Sequence, residues 1–199
     1  MSLLLETIQI LNGIPLRLEY HNERLNRSRH ELMCSQNDLF IEEYLHIPEE
    51  FSQGKVKCRI LYDQEIDCIE FEHYQEREIR SFILKEANIG YPYKYTDRTA
   101  FVELKKQLPP NQEVIITKDN CITDTTYSNL IFKDKEGIWH TPLHPLLHGI
   151  QREYLLDSGM IIEKEIHKDE LANYTHFMMI NAMLDFDETR SISIENIIL

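Results

Sequence analysis

Apolar and polar residues along the first part of the chain follow patterns that predict two hairpins and an amphipathic helix. Two β-prone runs flank Asn12-Gly13, a step typical of a two-residue hairpin turn. Apolar residues then recur near helical spacing from Leu18 to Met33 and predict a helix over roughly 20–35, followed by a second helix over 38–46. The segment KVKCRILYDQEIDCIEFEHYQ alternates polar and apolar positions and predicts another hairpin, which turns at Asp63-Gln64.

The second part of the chain alternates strand and helix patterns after a connection at 85–93 that contains Gly90 and Pro92. The predicted elements are a helix over 97–107, strands EVIITKD and NCITDTTYSNLIFKD around Asp119-Asn120, a strand KEGIWHTP, a helix GIQREYLLDSG, a strand MIIEKEI, a short helix KDELANY and a strand FMMINAMLDF. The pattern therefore predicts an α/β chain of the α+β type, with a small α+β domain at 1–88, a linker at 89–93 and a larger strand-rich domain at 94–199.

Composition and charge restrict the class of protein. The chain has 199 residues, 42% of them hydrophobic, and a net charge of −13. This hydrophobic share is typical of a packed globular protein, and the acidic balance disfavours binding to a phosphate backbone. No apolar run approaches the roughly 18 residues of a bilayer helix, and the first residues show no secretory signal. We expect a cytoplasmic protein that binds neither nucleic acid nor a membrane.

Cysteines and histidines are the first candidates for a metal site. The four cysteines are widely spaced without a CxxC pair, which favours reduced thiols over a zinc site or a disulfide framework. His140, His144 and His148 recur every four residues, as zinc ligands on a helix would, but Pro142 and Pro145 interrupt such a helix. The sequence therefore predicts loop histidines and no metal.

Three further segments suggest a site for a small molecule. Lys94 lies between two tyrosines after the Gly-Pro connection; it is either a solvated surface lysine or a lysine in a cleft, able to react with an aldehyde. The hydroxyl-rich run TDTTYSN at 123–129 is either an ordinary turn or a binder of phosphate and of a cationic group. Gly149 precedes a helix whose free N–H groups favour an anion.

Taken in order, these segments resemble the class IV aminotransferases, the pyridoxal-phosphate enzymes of fold type IV. The blocks that carry the resemblance are ETIQILNGIPLRLEYHNERL, YKYTDRTAF, CITDTTYSNLIF, TPLHPLLHGIQREYLL and MMINAMLDF. The KxTDR form of the lysine block is most similar to the aminodeoxychorismate lyase branch. The resemblance implies a two-domain fold, pyridoxal 5′-phosphate (PLP) as cofactor, an amino-acid-like substrate and a homodimer.

The resemblance also implies roles for individual residues. Lys94 is expected to link to the cofactor aldehyde and to act as the catalytic base, and Asp124 is expected to bind the protonated pyridine nitrogen. Arg24 is expected to pair with the cofactor phosphate. The same phosphate is expected to contact Tyr127, Ser128, the backbone of Ile150 and Gln151, Asn181 and Ala182.

The chain departs from the family pattern at a few positions. Asp124 replaces the usual glutamate and is one methylene shorter, Gln151 replaces a threonine, and Asn181-Ala182 replaces Gly-Thr or Asn-Ser. The chain also begins at its LLET block, without the strand-rich leader of typical members, which is expected to widen the cleft.

Three functions follow as hypotheses. The leading one is conversion of 4-amino-4-deoxychorismate to 4-aminobenzoate and pyruvate. The second is an amino-acid aminotransferase of the branched-chain or D-amino-acid type, and the third is a binding module that keeps the fold without catalysis. For the substrate carboxylate, Arg59 and Arg98 are candidates, although a surface ion pair is the simpler role for either.

Overall fold

The computed structural model describes residues 3–198 and divides the chain into two compact units. The N-terminal unit comprises Met1–Glu76 and Tyr93–Asp97, and the C-terminal unit comprises Arg77–Pro92 and Arg98–Leu199. This division differs from the predicted domains at 1–88 and 94–199. The strand Ser81–Glu86 pairs with a later strand of the C-terminal unit, whereas Tyr95 bridges to Leu4 in the N-terminal unit.

The N-terminal unit is a four-stranded antiparallel sheet with one long helix. Its elements are β1 (Leu4–Leu11), β2 (Ile14–Pro15), α1 (Leu18–Met33), β3 (Lys55–Tyr62) and β4 (Ile66–His73), with strand order β2-β1-β3-β4. Asn12 and Gly13 have φ of 49° and 79°. Positive φ at both positions lets a two-residue hairpin turn match the right-handed twist of the paired strands. Both predicted hairpins and the first predicted helix are confirmed.

The predicted helix over 38–46 is wrong, because this segment forms only a short 3₁₀ turn at Ile41–Glu43. Two asparagines of α1 hold its backbone instead. The N–H of Leu39 donates to Asn26 Oδ1, and the N–H of Ile41 donates to Asn22 Oδ1, each at 2.9 Å. Side chains of α1 thus hold the backbone of this segment in its irregular path.

The core of the N-terminal unit consists of every second residue of β1 and β3, packed with α1 and with two residues of the segment that follows it, Leu39 and Ile41. In a strand, alternate side chains point to the same face. The buried members are Leu4, Ile8, Ile10, Leu25, Met33, Leu39, Ile41, Val56, Cys58, Ile60 and Tyr62. Glu6 belongs to the same inward face of β1 and is fully buried, so the apolar core contains one carboxylate.

The C-terminal unit contains two mixed sheets and two short helices. Its elements are β5 (Ser81–Glu86), α2 (Thr99–Lys105), β6 (Gln112–Lys118), β7 (Cys121–Thr125), β8 (Asn129–Asp134), β9 (Trp139–Pro142), α3 (Ile150–Asp157), β10 (Ile162–Lys164), β11 (Tyr174–Ile180), β12 (Ile192–Ser193) and β13 (Ile197–Ile198). The strand orders are β10-β9-β8-β11-β12 and β13-β5-β6-β7. Parallel pairs β5–β6 and β9–β10 occur beside antiparallel pairs, so the predicted α/β class is confirmed. Within residues 3–198, no helix has the length and apolar character needed to span a bilayer.

Two predicted strands of the C-terminal unit end earlier than their apolar patterns suggest. The run NCITDTTYSNLIFKD divides into β7 and β8, because Thr125 and Ser128 close a tight turn in which Thr125 N donates to Ser128 O at 2.8 Å. The last long strand stops at Ile180, where the carbonyl of Asn181 accepts from Leu184 N at 2.9 Å. The predicted helix KDELANY is a 3₁₀ segment at Lys168–Asn173. The two turns bring several of the predicted site residues to strand ends.

Candidate active site

Arg24 is fixed in the N-terminal unit by a buried carboxylate. Its Nε donates to Glu6 Oε1 at 2.8 Å and its Nη2 donates to Glu6 Oε2 at 2.5 Å. The fully buried His21, one turn earlier on α1, places Nδ1 at 2.6 Å from the same Oε2. The bidentate contact fixes the plane of the guanidinium.

The charges of this cluster follow from its contacts. Burial would raise the pKa of Glu6, but Arg24 and His21 outweigh it and lower this pKa to about 2. Burial lowers the pKa of His21, and the positive charges of Arg24 and Lys94 lower it further, against the opposing effect of Glu6. His21 is therefore neutral at neutral pH. Because an ionised carboxylate only accepts, the ring proton lies on Nδ1 and Nε2 carries the lone pair.

Lys94 belongs to the N-terminal unit together with Arg24. Its carbonyl accepts from Leu5 N at 3.0 Å, and the next residue, Tyr95, forms a bridge to Leu4. The side chain is half-buried, and its charge acts on His21. Buried Nε2 of His21 has no hydrogen-bond partner among residues 3–198. A neutral imidazole therefore lies within electrostatic reach of the amine that the sequence predicts to be catalytic.

Asp124 is a buried carboxylate near the end of β7 whose hydrogen-bond donors are neutral. Its Oδ1 accepts from Asn129 Nδ2 at 2.8 Å, and its Oδ2 accepts from the N–H groups of Leu146 and Leu147 at 2.9 and 3.0 Å. Burial raises the pKa of Asp124 to about 7, although these bonds and the charge of Arg152 oppose the rise. The carboxylate would gain from a cationic partner.

Asn129 and Gly149 join Asp124 to the start of α3. Asn129 Nδ2 also donates to Leu147 O at 2.8 Å, so one amide binds both the acid and the loop before the helix. A Cβ on Gly149 would lie 2.0 Å from Asn129 Oδ1, so only glycine fits there. No side chain caps α3, and the first N–H groups, those of Ile150 and Gln151, have no partner within the helix. Such groups bind an anion well.

Tyr127, Ser128 and Asn181 are brought together at neighbouring strand ends. Asn181 Nδ2 donates to Ser128 Oγ at 2.8 Å, and Ser128 N donates to Thr125 Oγ1 at 2.9 Å. Asn181 Oδ1 accepts from Met183 N, so Ala182 lies within the turn that ends β11. The C-terminal unit therefore contains Asp124, Tyr127, Ser128, Ile150, Gln151, Asn181 and Ala182, whereas Arg24 and Lys94 lie in the N-terminal unit.

The remaining candidates have structural contacts. Arg59 pairs with Glu70 on the next strand at 3.0 Å, at the exposed face of the sheet. Arg98 donates to Thr126 O and stacks over Phe101, 4.4 Å from the ring centroid. His140 lies in β9 and contacts Asp134 at 2.9 Å. The three spaced histidines therefore do not share a helix face.

A family model identifies the protein family to which the chain belongs. The model for amino-transferase class IV matches residues 3–192. The chain belongs to this family. The class IV assignment covers both units, and it confirms the predicted resemblance.

Individual relatives of this class IV chain are similar over most of its length. An uncharacterized protein of Haemophilus influenzae is 34% identical over 184 residues, which are 90% of this chain and 97% of that protein. The crystal structure of a candidate 4-amino-4-deoxychorismate lyase from Haemophilus somnus is 31% identical, with a TM-score of 0.84 over 94% of this chain and 98% of that chain. The branched-chain amino acid aminotransferase of Escherichia coli has a TM-score of 0.71 at 14% identity, over 98% of this chain and 76% of that chain, and shows the fold alone.

Membership of class IV makes the chain an enzyme with PLP as its cofactor, as predicted. The residues suit this cofactor. The buried carboxylate of Asp124, whose pKa is about 7, is suited to bind a protonated pyridine nitrogen. The uncapped start of α3 is suited to bind a phosphate. The individual roles stay predictions.

Sequence reasoning missed Glu6, Asn129 and a role for His21. Glu6 gave a signal, because it stands in the inward-facing register of an otherwise apolar strand between Leu4 and Ile8. A carboxylate there indicates a buried cationic partner. For Asn129 no local signal exists, because its partners lie 5 and 18 residues away.

Proposed function

We propose that this class IV enzyme is an aminodeoxychorismate lyase, which converts 4-amino-4-deoxychorismate to 4-aminobenzoate and pyruvate. The observation that carries the proposal is the similarity to the Haemophilus somnus candidate lyase, which is 31% identical and extends over nearly the full length of both chains. The KYTDR block around Lys94 favours the same branch of the family.

In this proposal the N-terminal unit supplies the reacting amine and a phosphate-binding guanidinium. Lys94 removes the proton from the substrate carbon that carries the amine. The ring C–O bond then breaks, and the departing enolpyruvyl group takes up a proton and becomes pyruvate. Arg24, held by Glu6, pairs with the cofactor phosphate, and the low pKa of Glu6 keeps its carboxylate charged throughout.

The C-terminal unit supplies the counter-charge and further anion contacts. PLP, when bound, withdraws electrons from the carbon next to the substrate nitrogen, provided that its pyridine nitrogen is positive. Asp124 keeps that nitrogen protonated from a buried position, oriented by Asn129 and two backbone N–H groups. Ile150 and Gln151 offer N–H groups to the phosphate, with Tyr127, Ser128, Asn181 and Ala182 beside it.

Product analysis tests the lyase. Purified protein loaded with PLP is incubated with 4-amino-4-deoxychorismate, and pyruvate is measured by a coupled assay. We expect pyruvate from the wild type and from Lys118→Ala, a control at an exposed lysine, and none above background from Lys94→Ala. Lys94→Ala should also lose the visible absorbance of lysine-bound cofactor.

The same assay separates the lyase from an aminotransferase. Transfer of the amino group from a branched-chain or D-amino acid to 2-oxoglutarate, without pyruvate from aminodeoxychorismate, would overturn the lyase and leave the family unchanged. A homodimer and a cytoplasmic location are part of the proposal. All four cysteines are free, which suits a reducing compartment.

A further inference from the structure

A cysteine, a histidine and a glutamate meet at the start of β7, apart from the residues assigned to the cofactor. Cys121 is the first residue of β7, and His167 forms an antiparallel bridge with it. Backbone hydrogen bonds flank the bridge, from Ile122 N to Ile166 O at 2.8 Å and from Lys168 N to Asn120 O at 2.9 Å. The backbone therefore holds the two side chains opposite each other.

The side-chain atoms of this cluster lie close enough together to surround one cation. Cys121 Sγ lies 3.7 Å from His167 Nδ1, and Glu165 Oε1 lies 3.0 Å from His167 Nε2. One ligand atom from each residue lies within 4.8 Å of the other two. Bonds of about 2.0–2.3 Å to Zn²⁺ separate tetrahedral ligand atoms by roughly 3.3–3.8 Å. Cys121 and Glu165 lie against different ring nitrogens of His167, so one of them must move to the nitrogen that binds the ion. The side chains of His167 and Glu165 are 44% and 49% exposed, which leaves room for this rotation.

Negative charge surrounds the Cys121 thiol. Burial raises the pKa of this thiol, and four carboxylates raise it further, those of Glu165, Asp119, Glu86 and Glu170. Cysteine, histidine and glutamate also occur together as a catalytic nucleophile with its base. A nucleophile requires the thiolate, however, and the negative charge around Cys121 disfavours that form. A divalent cation reverses the effect, because it is attracted by the carboxylates and ionises the thiol that binds it.

We propose that Cys121, His167 and Glu165 form a binding site for a divalent cation of the zinc class. In this site the thiol proton leaves to solvent as sulfur binds the metal, and Glu165 exchanges its hydrogen bond with His167 for a bond to the metal. Water completes the tetrahedron. The donor set of one sulfur, one imidazole and one carboxylate favours Zn²⁺ over Mg²⁺ or Ca²⁺. The site is independent of the proposed lyase activity, and it contradicts the expectation from cysteine spacing that the chain has no metal site.

Calorimetric titration of the full-length, PLP-loaded and metal-free protein with Zn²⁺ tests the site. We expect one Zn²⁺ per chain, and affinity at least about tenfold weaker in Cys121→Ser and in His167→Ala. The matched control is Cys34→Ser, which removes an exposed thiol in the N-terminal unit and should leave the affinity unchanged. Absence of binding to the wild type, equal affinity in Cys121→Ser, or loss in Cys34→Ser would overturn the proposal.

A second measurement does not depend on how well the variants fold. The wild type is alkylated with iodoacetamide with and without Zn²⁺, and each cysteine is quantified by mass spectrometry. We expect Zn²⁺ to slow modification of Cys121 at least about fivefold while Cys34 reacts equally in both samples. Equal rates for Cys121 with and without Zn²⁺ would show that sulfur is not a ligand.

Discussion

At the scale of residues, Glu6 and Asp124 show that partners, and not burial alone, decide the charge of a carboxylate. Both are at most 5% exposed. Glu6 faces a guanidinium and an imidazole N–H, and its pKa falls to about 2. Among residues 3–198, the hydrogen-bond donors to Asp124 are one side-chain amide and two backbone N–H groups, and its pKa rises to about 7. Glu6 therefore has its counter-charges within the chain, whereas a bound cation would stabilise the ionised form of Asp124.

The first prediction concerns the buried pair of Glu6 and Arg24. Glu6→Gln leaves the shape nearly unchanged but leaves the guanidinium buried without its counter-charge. We expect the free energy of unfolding to fall by about 3 kcal/mol or more in chemical denaturation. Glu70→Gln is the control, since its pair with Arg59 is exposed and should be worth less than about 1 kcal/mol. Similar losses of stability in both variants would show that the buried pair stabilises the fold no more than the exposed pair does.

The second prediction concerns the pH dependence that Asp124 gives to the cofactor-free protein. Its folded-state pKa is raised from 3.8 to about 7, so the folded protein binds the proton more tightly than the unfolded chain. Stability from this group is complete below about pH 4 and is lost as the pH rises through 7. Asp124→Asn carries a constant penalty without this slope. Between about pH 5 and about pH 8, wild-type stability relative to Asp124→Asn should fall by roughly 3 kcal/mol.

Urea denaturation of both proteins at the two pH values measures this difference. Because His21 and the other titratable groups are the same in both proteins, their contributions cancel. Parallel pH profiles for wild type and Asp124→Asn would contradict the raised pKa.

At the scale of elements, turns that need a special backbone conformation were predictable, and strand ends set by side chains were not. Asp119 and Asn120 have φ of 52° and 67° in the turn between β6 and β7, as the sequence predicted for a hairpin. The break between β7 and β8 depends on Thr125 and Ser128 bonding to each other inside a continuous strand-like pattern. The periodicity of a sequence depends on side-chain polarity alone, so it cannot predict hydrogen bonds of this kind.

The third prediction concerns the start of α3. Gly149→Ala would force Asn129 Oδ1 away from its position, and Asn129 holds Asp124. We expect a loss of about 1–3 kcal/mol in stability, together with weaker binding of PLP measured by absorbance titration. Gly90→Ala is the control, since a Cβ there meets no atom within 4 Å. Unchanged PLP binding in Gly149→Ala would show that the start of α3 does not contribute to binding of the cofactor.

At the scale of the whole molecule, the family resemblance predicts a homodimer. Light scattering coupled to size exclusion should give twice the chain mass of 23.8 kDa. Because the chain has a net charge of −13, the measurement is best made at moderate ionic strength, where repulsion between copies is screened. A mass of one chain at micromolar concentration would show that this prediction is wrong.

The sequence by itself determined the fold class, the family, the cofactor and most helix and strand positions, because these depend on periodicity, turn residues and blocks of adjacent residues. Only the tertiary structure decided which unit each segment joins and which partner each polar side chain meets. It assigned Lys94 to the unit of Arg24, buried Glu6 against that arginine and brought Cys121 to His167, 46 residues away. These are pairings between distant residues, and their energies depend on burial and neighbouring charge, which chain order does not specify.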